Sequence, residues 1–318
     1  MRKPLISVVV PTFNRADLLR RTLRALLSQT LDPKAYEIIV VDNGSTDGTP
    51  ALVGGMAARD ARIRYLLETK QGVSHAKNAG LEAAATDLVA FTDDDGVPAS
   101  DWLATVLDAF ERVHPMPHVV GGPSLPLLSG RRPAWYQESY DTNAWGGTPR
   151  LLERKECFFG MNVAFRRGLL LDMGGFDPNL GMKGTALGFH EEPDVFERLW
   201  QHVGDLRAYY APGAVVHHLI PDSRLGPGYR LKRAFAAGQT RHAQECLNAA
   251  DAGRPGPGGK KLVWEGSRLL WYLLWAGMAL PRSPHVGGWL ITWGVPVASL
   301  TGYLASGAGL RVEVRRDH

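Results

Sequence analysis

Three short β-branched runs dominate the first hundred or so residues: LISVVV (5–10), EIIVVD (37–42) and DLVAFT (87–92). None alternates cleanly between apolar and polar residues, the mark of strands buried on both faces and hence of a parallel sheet. Between them the spacing predicts helices: Leu18, Leu19, Leu23, Leu26 and Leu27 recur at helical intervals, and residues 49–60 and 73–85 follow the same rule. Strand and helix alternate, so the chain reads as an α/β protein with a mostly parallel central sheet flanked by helices. In such sheets ligands bind beyond the carboxyl ends of the strands. That directs attention to PTFNR, DNGSTDGT and DDDG, which follow the three runs.

At 318 residues and 45% hydrophobic, the chain can bury a large core, which excludes disorder and fibrous repeats. Its formal charge of +4 is confined to the tail, where seven Lys/Arg face three acids from Lys260 onward. A basic tail on a neutral body argues against nucleic acid as the partner. Two cysteines, Cys157 and Cys246, build no disulfide framework and show no zinc spacing, which fits a reducing compartment. Arg2 and Lys3 precede LISVVV, but Pro11 ends the run too early for a signal-peptide core or a spanning helix. The catalytic part is therefore expected in the cytoplasm.

Residues 1–250 are expected to form the catalytic domain, with a nucleotide-binding half (1–120) and an acceptor- and base-bearing half (121–250). Residues 121–150 are rich in Gly, Pro and aromatics and are expected to lie over a site. Trp135, Tyr136, Tyr140 and Trp145 could stack on an acceptor, or could simply be buried beneath the loop. Regular pattern resumes at CFFGMNVAFRR (157–167), in a helix from about Glu191 to Val203, and in a strand pair around RAYYA and AVVHH. Residues 251–261 read as a Gly/Pro linker. Beyond it, 262–318 form an apolar, basic-flanked helical segment. Stretches 269–281 and 286–305 carry no charge and lie among Lys260, Lys261, Arg282, Arg311, Arg315 and Arg316. Spanning a bilayer, lying on it and packing on protein all remain open for 286–305. Peripheral contact through 262–310, at the cytoplasmic face of the membrane, is the expectation. An oligomer is possible.

Three adjacent carboxylates, Asp93, Asp94 and Asp95, end a buried strand, an arrangement that is costly unless a cation compensates it. Mg²⁺ or Mn²⁺ is suited to this, being held by one or two carboxylates while substrate phosphates complete its shell. On an extended strand Asp93 and Asp95 would point the same way and Asp94 would turn aside, which leaves Asp94 among the cofactor-binding candidates. Asp42 closes the second run and could accept hydrogen bonds from a nucleobase or only cap the turn, while Asp47 reads as a helix cap. PTFNR offers Pro11 to shape the turn, Thr12 and Asn14 as polar contacts, and Arg15 as a diphosphate partner or a first-turn surface residue. In HEEPDVFERL, Glu191, Glu192 and Asp194 favour a helix N-terminus by charge alone, and one of them could be a general base toward a hydroxyl. His217 and His218 end a later strand, where one could complete a metal shell.

In this order the pieces resemble the family 2 glycosyltransferases with a GT-A fold. The resemblance runs from about Ile6 to Gly238, through SVVVPTFNR, EIIVVDNGSTDGT, GVSHAKNAGL, DLVAFTDDDG, FGMNVAFRR, GGFD, EEPD and YAPGAVVHHLIP. It implies a nucleotide-diphospho-sugar donor, a divalent cation and inverting transfer to an acceptor hydroxyl. The product would be a polysaccharide or glycan and the acceptor a glycan or lipid-linked molecule. Carried over by position, Pro11, Thr12, Asn14 and Asp42 are the implied nucleotide contacts and Asp93 and Asp95 the metal-binding pair. Glu192 is then the implied general base and His218 the terminal metal or diphosphate histidine, with Arg224 as a further diphosphate contact. Lys77 stands where Arg is usual, and Glu192 where Asp is commonest, which keeps Glu191 and Asp194 in contention as the base. A dinucleotide oxidoreductase would need a glycine-rich turn after the first strand, and PTFNR has none. A non-catalytic nucleotide-sugar-binding scaffold of a membrane glycan-assembly complex is the remaining alternative.

Overall fold

The computed structural model describes residues 4–154, 156–251, 255–279 and 290–310. It divides into two compact units, one built from Met1–Leu127, Glu138–Asn179 and Glu191–Leu219, the other from Leu128–Gln137, Leu180–His190 and Ile220–His318.

The three β-branched runs are strands β1 (Ile6–Thr12), β2 (Tyr36–Asp42) and, after β3 (Ile63–Leu67), β4 (Leu88–Phe91). β1 lies parallel between β2 and β4, and every residue of β1 and β2 is buried. This is why alternation is missing from their sequences: each face meets a separate apolar layer. Ile6, Val8 and Val10 join Leu19, Leu23 and Trp102 in one cluster, while Val9 joins Ile39, Val41, Ala76 and Leu81 in the other. Each such Val or Leu side chain withdrawn from water contributes about 1.5–3 kcal/mol. Helices α1 (Ala16–Leu27), α2 (Thr49–Ala57) and α3 (Val73–Ala83) fall where the spacing predicts them.

β5 (Gly96–Pro98) and α4 (Trp102–Arg112) follow, then β6 (Val119–Gly121), β7 (Ser124–Leu128), β8 (Arg150–Leu151), β9 (Val163–Arg166) and α5 (Arg167–Asp172). α6 (Glu191–Val203), β10 (Ala208–Tyr210) and β11 (Val216–Ile220) complete the first unit's elements. The eight-stranded sheet runs β3-β2-β1-β4-β9-β6-β10-β8, and a second sheet runs β5-β11-β7. β9 is antiparallel to both β4 and β6, so the sheet is mostly, not wholly, parallel. The expected strand pair around RAYYA and AVVHH is not a pair. β10 bonds to β6 and β8, and β11 bonds to β5 in the other sheet, because both strands find partners far away in sequence.

In the second unit, α7 (Pro227–Asp251), α8 (Gly259–Ala279) and α9 (Val295–Gly307) are the long elements, with a π-helical turn at Leu290–Gly294 before α9. α7 and α9 cross closely at Gly238 and Gly302. A Cβ on Gly302 would fall 2.0 Å from the Phe235 carbonyl oxygen. Glu265 is buried on α8 and receives Arg241 at 3.1 Å and Arg268 at 2.9 Å. Tyr303 donates to Glu245 at 2.5 Å, and Lys261 pairs with the same oxygen at 2.8 Å. α8 starts inside the stretch read as a linker. Residues 280–289 and 311–318, with Arg282, Arg311, Arg315, Arg316 and the start of the 286–305 run, lie outside the described residues. Among the described residues no helix is long and apolar enough to cross a membrane.

Candidate active site

The carboxyl ends of β1, β2 and β4 deliver the three expected loops, and side chains bind those loops to one another. Asn14 adopts a left-handed backbone conformation (φ 52°), which Asn tolerates better than most residues. Its Oδ1 accepts from the Thr46 amide at 2.7 Å and the Asp47 amide at 3.3 Å, while its own amide donates to Ser45 Oγ at 2.9 Å. Asp47 accepts from Thr49 N–H at 2.9 Å and from Ala16 N–H at 3.1 Å, so one carboxylate serves the first residues of both α1 and α2. Asp42 is fully buried. Its two oxygens accept from the Ser45 amide at 2.8 Å and the Tyr65 hydroxyl at 2.9 Å. Burial and that carboxylate push the Tyr65 hydroxyl up to about 12. Pro11 lies in register with Val41 inside the sheet.

The aspartate triplet is not an extended strand. β4 stops at Phe91, and Gly96 N–H donates to the Asp93 carbonyl at 2.9 Å, closing a turn over Asp93–Gly96. Simple alternation therefore does not orient the three side chains. Asp94 accepts from Thr12 Oγ1 at 2.9 Å and from Arg15, whose other nitrogen reaches Asp95 at 2.6 Å. Arg15 is thus a clamp on the triplet, and the three aspartates hold its pKa above the ordinary value despite burial. β11 supplies the next member. Its register sets His218 opposite Gly96, the Leu219 amide bonds to the Asp95 carbonyl at 2.8 Å, and His218 Nε2 stands 3.6 Å from Asp95 Oδ2. His218, not His217, is the histidine beside the triplet.

Lys77, on α3, is 1% exposed, and its ammonium lies 2.5 Å from Glu192 Oε1 and 3.3 Å from Glu191 Oε1 at the start of α6. Burial alone would lower its pKa, yet Glu192, Glu191 and Asp93 together raise it, so the lysine stays charged. Gly160 makes room for the contact. A Cβ there would lie 2.0 Å from Glu192 Oε1 and 2.6 Å from Lys77 Nζ. Glu192 titrates above the ordinary carboxylate value, first because it is desolvated and second because Glu191 is beside it. Asp93 is pushed up to about 6 by burial and by Asp95, Glu192 and Asp94, against the pull of Lys77. Glu192 acts on Asp93, and Lys77 feels Glu192, Glu191 and Asp93 together, so the triplet and the glutamate pair belong to one electrostatic site. The Cys157 thiol is pushed up to about 12 by burial and by Glu192.

Asp194 points elsewhere. Its Oδ2 accepts from Arg198 Nε at 2.8 Å, and the same guanidinium donates to the Met173 and Gly175 carbonyls at 2.9 and 2.7 Å. The pair ties α6 to the GGFD loop and so fixes where Glu191 and Glu192 begin. Trp145 packs edge-on against Phe158 and Tyr210, both at 5.5 Å, which is use in the core. Sequence reading missed Asn162, a 1% exposed amide that accepts from Trp102 Nε1 at 2.8 Å and donates to the Pro123 and Ala214 carbonyls at 2.9 and 2.8 Å. It also missed Gly160, whose role depends on space that sequence spacing does not encode.

A mostly parallel sheet that brings an acid turn, a histidine and a second acid pair to one place defines the GT-A class of glycosyltransferase. Residues 7–166, half of the chain, match the sequence model of glycosyl transferase family 2, and the chain belongs to that family. A glucosyl-dolichyl phosphate glucuronosyltransferase of Haloferax volcanii is 28% identical over 251 residues, 76% of this chain and 78% of the relative. A GalNAc(5)-diNAcBac-PP-undecaprenol beta-1,3-glucosyltransferase of Campylobacter jejuni is 42% identical over 106 residues, about a third of each chain (33% and 34%). Among solved structures, a mannosyltransferase of Pyrobaculum calidifontis in complex with GDP-Man and Mn²⁺ shares the fold with a TM-score of 0.62 at 21% identity, covering 98% of this chain and 89% of that one.

Proposed function

We propose that the chain transfers a sugar, with inversion, from a nucleotide-diphosphate donor to the hydroxyl of a lipid-linked acceptor, and that a divalent cation supports the reaction. The observation carrying this reading is that the buried Lys77 pairs with Glu191 and Glu192 and also acts electrostatically on Asp93, while Asp95 of the same triplet stands beside His218. Relatives named for dolichyl- and undecaprenol-linked substrates, and the fold neighbour complexed with GDP-Man and Mn²⁺, support the substrate classes.

The residues at the turn fit Mg²⁺ or Mn²⁺. Asp93 and Asp95 offer carboxylate oxygens and His218 an imidazole, and Asp93 is held above the ordinary carboxylate value first by burial and then by Asp95, Glu192 and Asp94, costs that a bound cation would relieve. Among the described residues no three His, Cys, Asp or Glu side chains are gathered so as to hold a metal ion by themselves, so a cation here would need further ligands from substrate phosphates. When bound, the cation would offset negative charge building on the leaving diphosphate.

Asp42, Asn14, Thr12 and Pro11 shape the nucleotide end. Lys77 and Gly160 seat Glu192, the assigned base, beside the reacting sugar. Its raised pKa makes it a stronger proton acceptor, and Lys77 opposes that rise. The acceptor oxygen bonds to the anomeric carbon as the carbon–phosphate-oxygen bond breaks. Glu192 takes the hydroxyl proton, and the electron pair leaves with the nucleoside diphosphate. Attack on the face opposite the leaving group inverts the centre in one displacement.

Contact with a membrane surface is part of the same proposal. α8 exposes Val263, Trp264, Leu270 and Trp271, and Lys260 and Lys261 stand at its start. This would place the enzyme at a cytoplasmic membrane face. The test is turnover of a panel of nucleotide sugars with a polyprenyl-phosphate-linked sugar as the acceptor, with and without chelator. Full activity in excess chelator rejects the role given to the cation.

A further inference from the structure

By position Asp42 is an implied nucleotide contact, yet it offers no surface for one. It closes β2 with 0% of its surface exposed, and both carboxylate oxygens already accept, one from the Ser45 amide at 2.8 Å and the other from the Tyr65 hydroxyl at 2.9 Å. Tyr65 is the outward member of this pair. It lies on β3, at the edge of the sheet, and 39% of its surface is exposed. β2 and β3 run parallel with Tyr65 opposite Val40, so Tyr65 and Asp42 share one face of the sheet. Of the two, only the tyrosine has surface that a ligand can touch.

The loops that follow these strands are fastened to one another. Asn43, 4% exposed, donates from Nδ2 to the Glu68 and Lys70 carbonyls at 3.1 and 2.7 Å, and its Oδ1 accepts from Gly72 N–H at 2.8 Å. That amide ties the β3–α3 loop to the β2–α2 loop. Asn14, assigned to the nucleotide, ties the β1–α1 loop to the same segment at Thr46. Asp42 and Tyr65 are thus held in place next to the residues given to the donor.

A hydroxyl has one proton, and here Asp42 takes it. Burial and that carboxylate push the Tyr65 pKa up to about 12, so the proton stays at neutral pH. Toward a ligand Tyr65 Oη can then only accept, and donation to a carboxylate makes its oxygen a better acceptor. Nucleobases divide on this point. Uracil N3 and guanine N1 carry a hydrogen, whereas cytosine N3 and adenine N1 carry a lone pair that would face the hydroxyl's own. Such a mismatch leaves two acceptors without a donor, which is how a polar site rejects a near-identical ligand.

We infer that Tyr65, oriented by Asp42, accepts the ring N–H of the donor's nucleobase and so sets a preference for uracil or guanine over cytosine or adenine. This rests on the reading of the donor as a nucleotide sugar and names the nucleotides it takes. Its test is binding and does not depend on turnover.

The full chain with Mg²⁺ is titrated calorimetrically with UDP, GDP, CDP and ADP, and with UDP methylated at N3 and GDP methylated at N1. Wild type should bind UDP or GDP at least tenfold more tightly than CDP and ADP, and methylation should weaken the preferred one about tenfold. Tyr65→Phe keeps the ring on the strand and removes the accepting oxygen. It should weaken the preferred nucleotide about tenfold, leave CDP and ADP within twofold, and bind the methylated and parent forms within about threefold of each other. A purely structural tyrosine would lower the melting temperature on substitution without moving these ratios. Tight nucleotide binding whose base preference Tyr65→Phe leaves unchanged overturns the inference alone, as does wild-type indifference to methylation. Failure to bind any nucleoside diphosphate overturns it together with the functional reading. Base discrimination as stated in a chain that transfers no sugar sinks the functional reading and leaves the role of Tyr65 standing.

Discussion

Cations serve opposite purposes in the two units. In the first, the buried Lys77 and the half-buried Arg15 meet acids at 2.5 and 2.6 Å, and each keeps together carboxylates that would otherwise repel. In the second, Arg132 and Arg230 lie on aromatic rings in a stretch with one acid. Removing a cation of the first kind leaves buried negative charge unpaired, a cost of about 3–5 kcal/mol for a buried pair broken on one side. Removing one of the second kind costs packing against the ring. The same residue class therefore neutralises acids in one place and packs on aromatic rings in the other, and burial with partner type tells them apart.

The sharpest way to break this contrast is at the acids themselves. Asp95→Ala removes a carboxylate shared by Arg15 and His218, and transfer activity should fall by about a thousandfold or more, as should wild-type activity in excess chelator until Mg²⁺ or Mn²⁺ is restored. Glu192→Gln should lower kcat by about a hundredfold or more, with donor affinity kept, because only proton removal is lost. Donor binding without turnover in the wild type would instead support the non-catalytic scaffold. Gly160→Ala is a milder probe. Its methyl group forces Glu192 and Lys77 apart, so kcat should drop about tenfold while the donor KM stays within twofold. An unchanged kcat would mean that the lysine pair does not position the base.

These effects fall on residues that sequence disclosed unevenly. β1, β2 and β4 were legible because strands buried on both faces read as continuous apolar runs. β3 was not, since it sits at the sheet edge with Tyr65 and Leu67 largely exposed. The aspartate triplet and Asp42 stood out because they follow or close β-branched runs, whereas His218, read as ending a strand, lies in the middle of β11. The triplet's geometry did not, because a turn after Phe91 replaces the extended strand assumed for it. That Lys77 faces two glutamates more than a hundred residues away, and that Arg230 stacks on Tyr136, are long-range facts with no local signal.

The smallest expected effect is on stability, and its sign follows from Asp93. Its carboxyl is pushed up from 3.8 to about 6, so the folded chain holds a proton there more tightly than the unfolded chain does. Between those values folding takes up protons, and stability must fall as pH rises, the extra stabilisation being complete below about 4 and gone above about 6. Glu37, Asp60 and Glu156 are held low and lose their contribution only on acidification below their ordinary values, outside this window. The melting temperature should therefore decline by a few degrees from pH 5 to pH 7, on the order expected for one perturbed carboxyl in a chain of this size. Asp93→Asn should flatten the decline, and Mn²⁺ should reverse it at pH 7 by supplying the missing positive charge. A melting temperature that rises over this interval, with Mn²⁺ without effect, would mean that negative charge at the turn is already balanced from within. The contrast between acids that call for a cation and arginines laid on aromatic rings would then lose its first half.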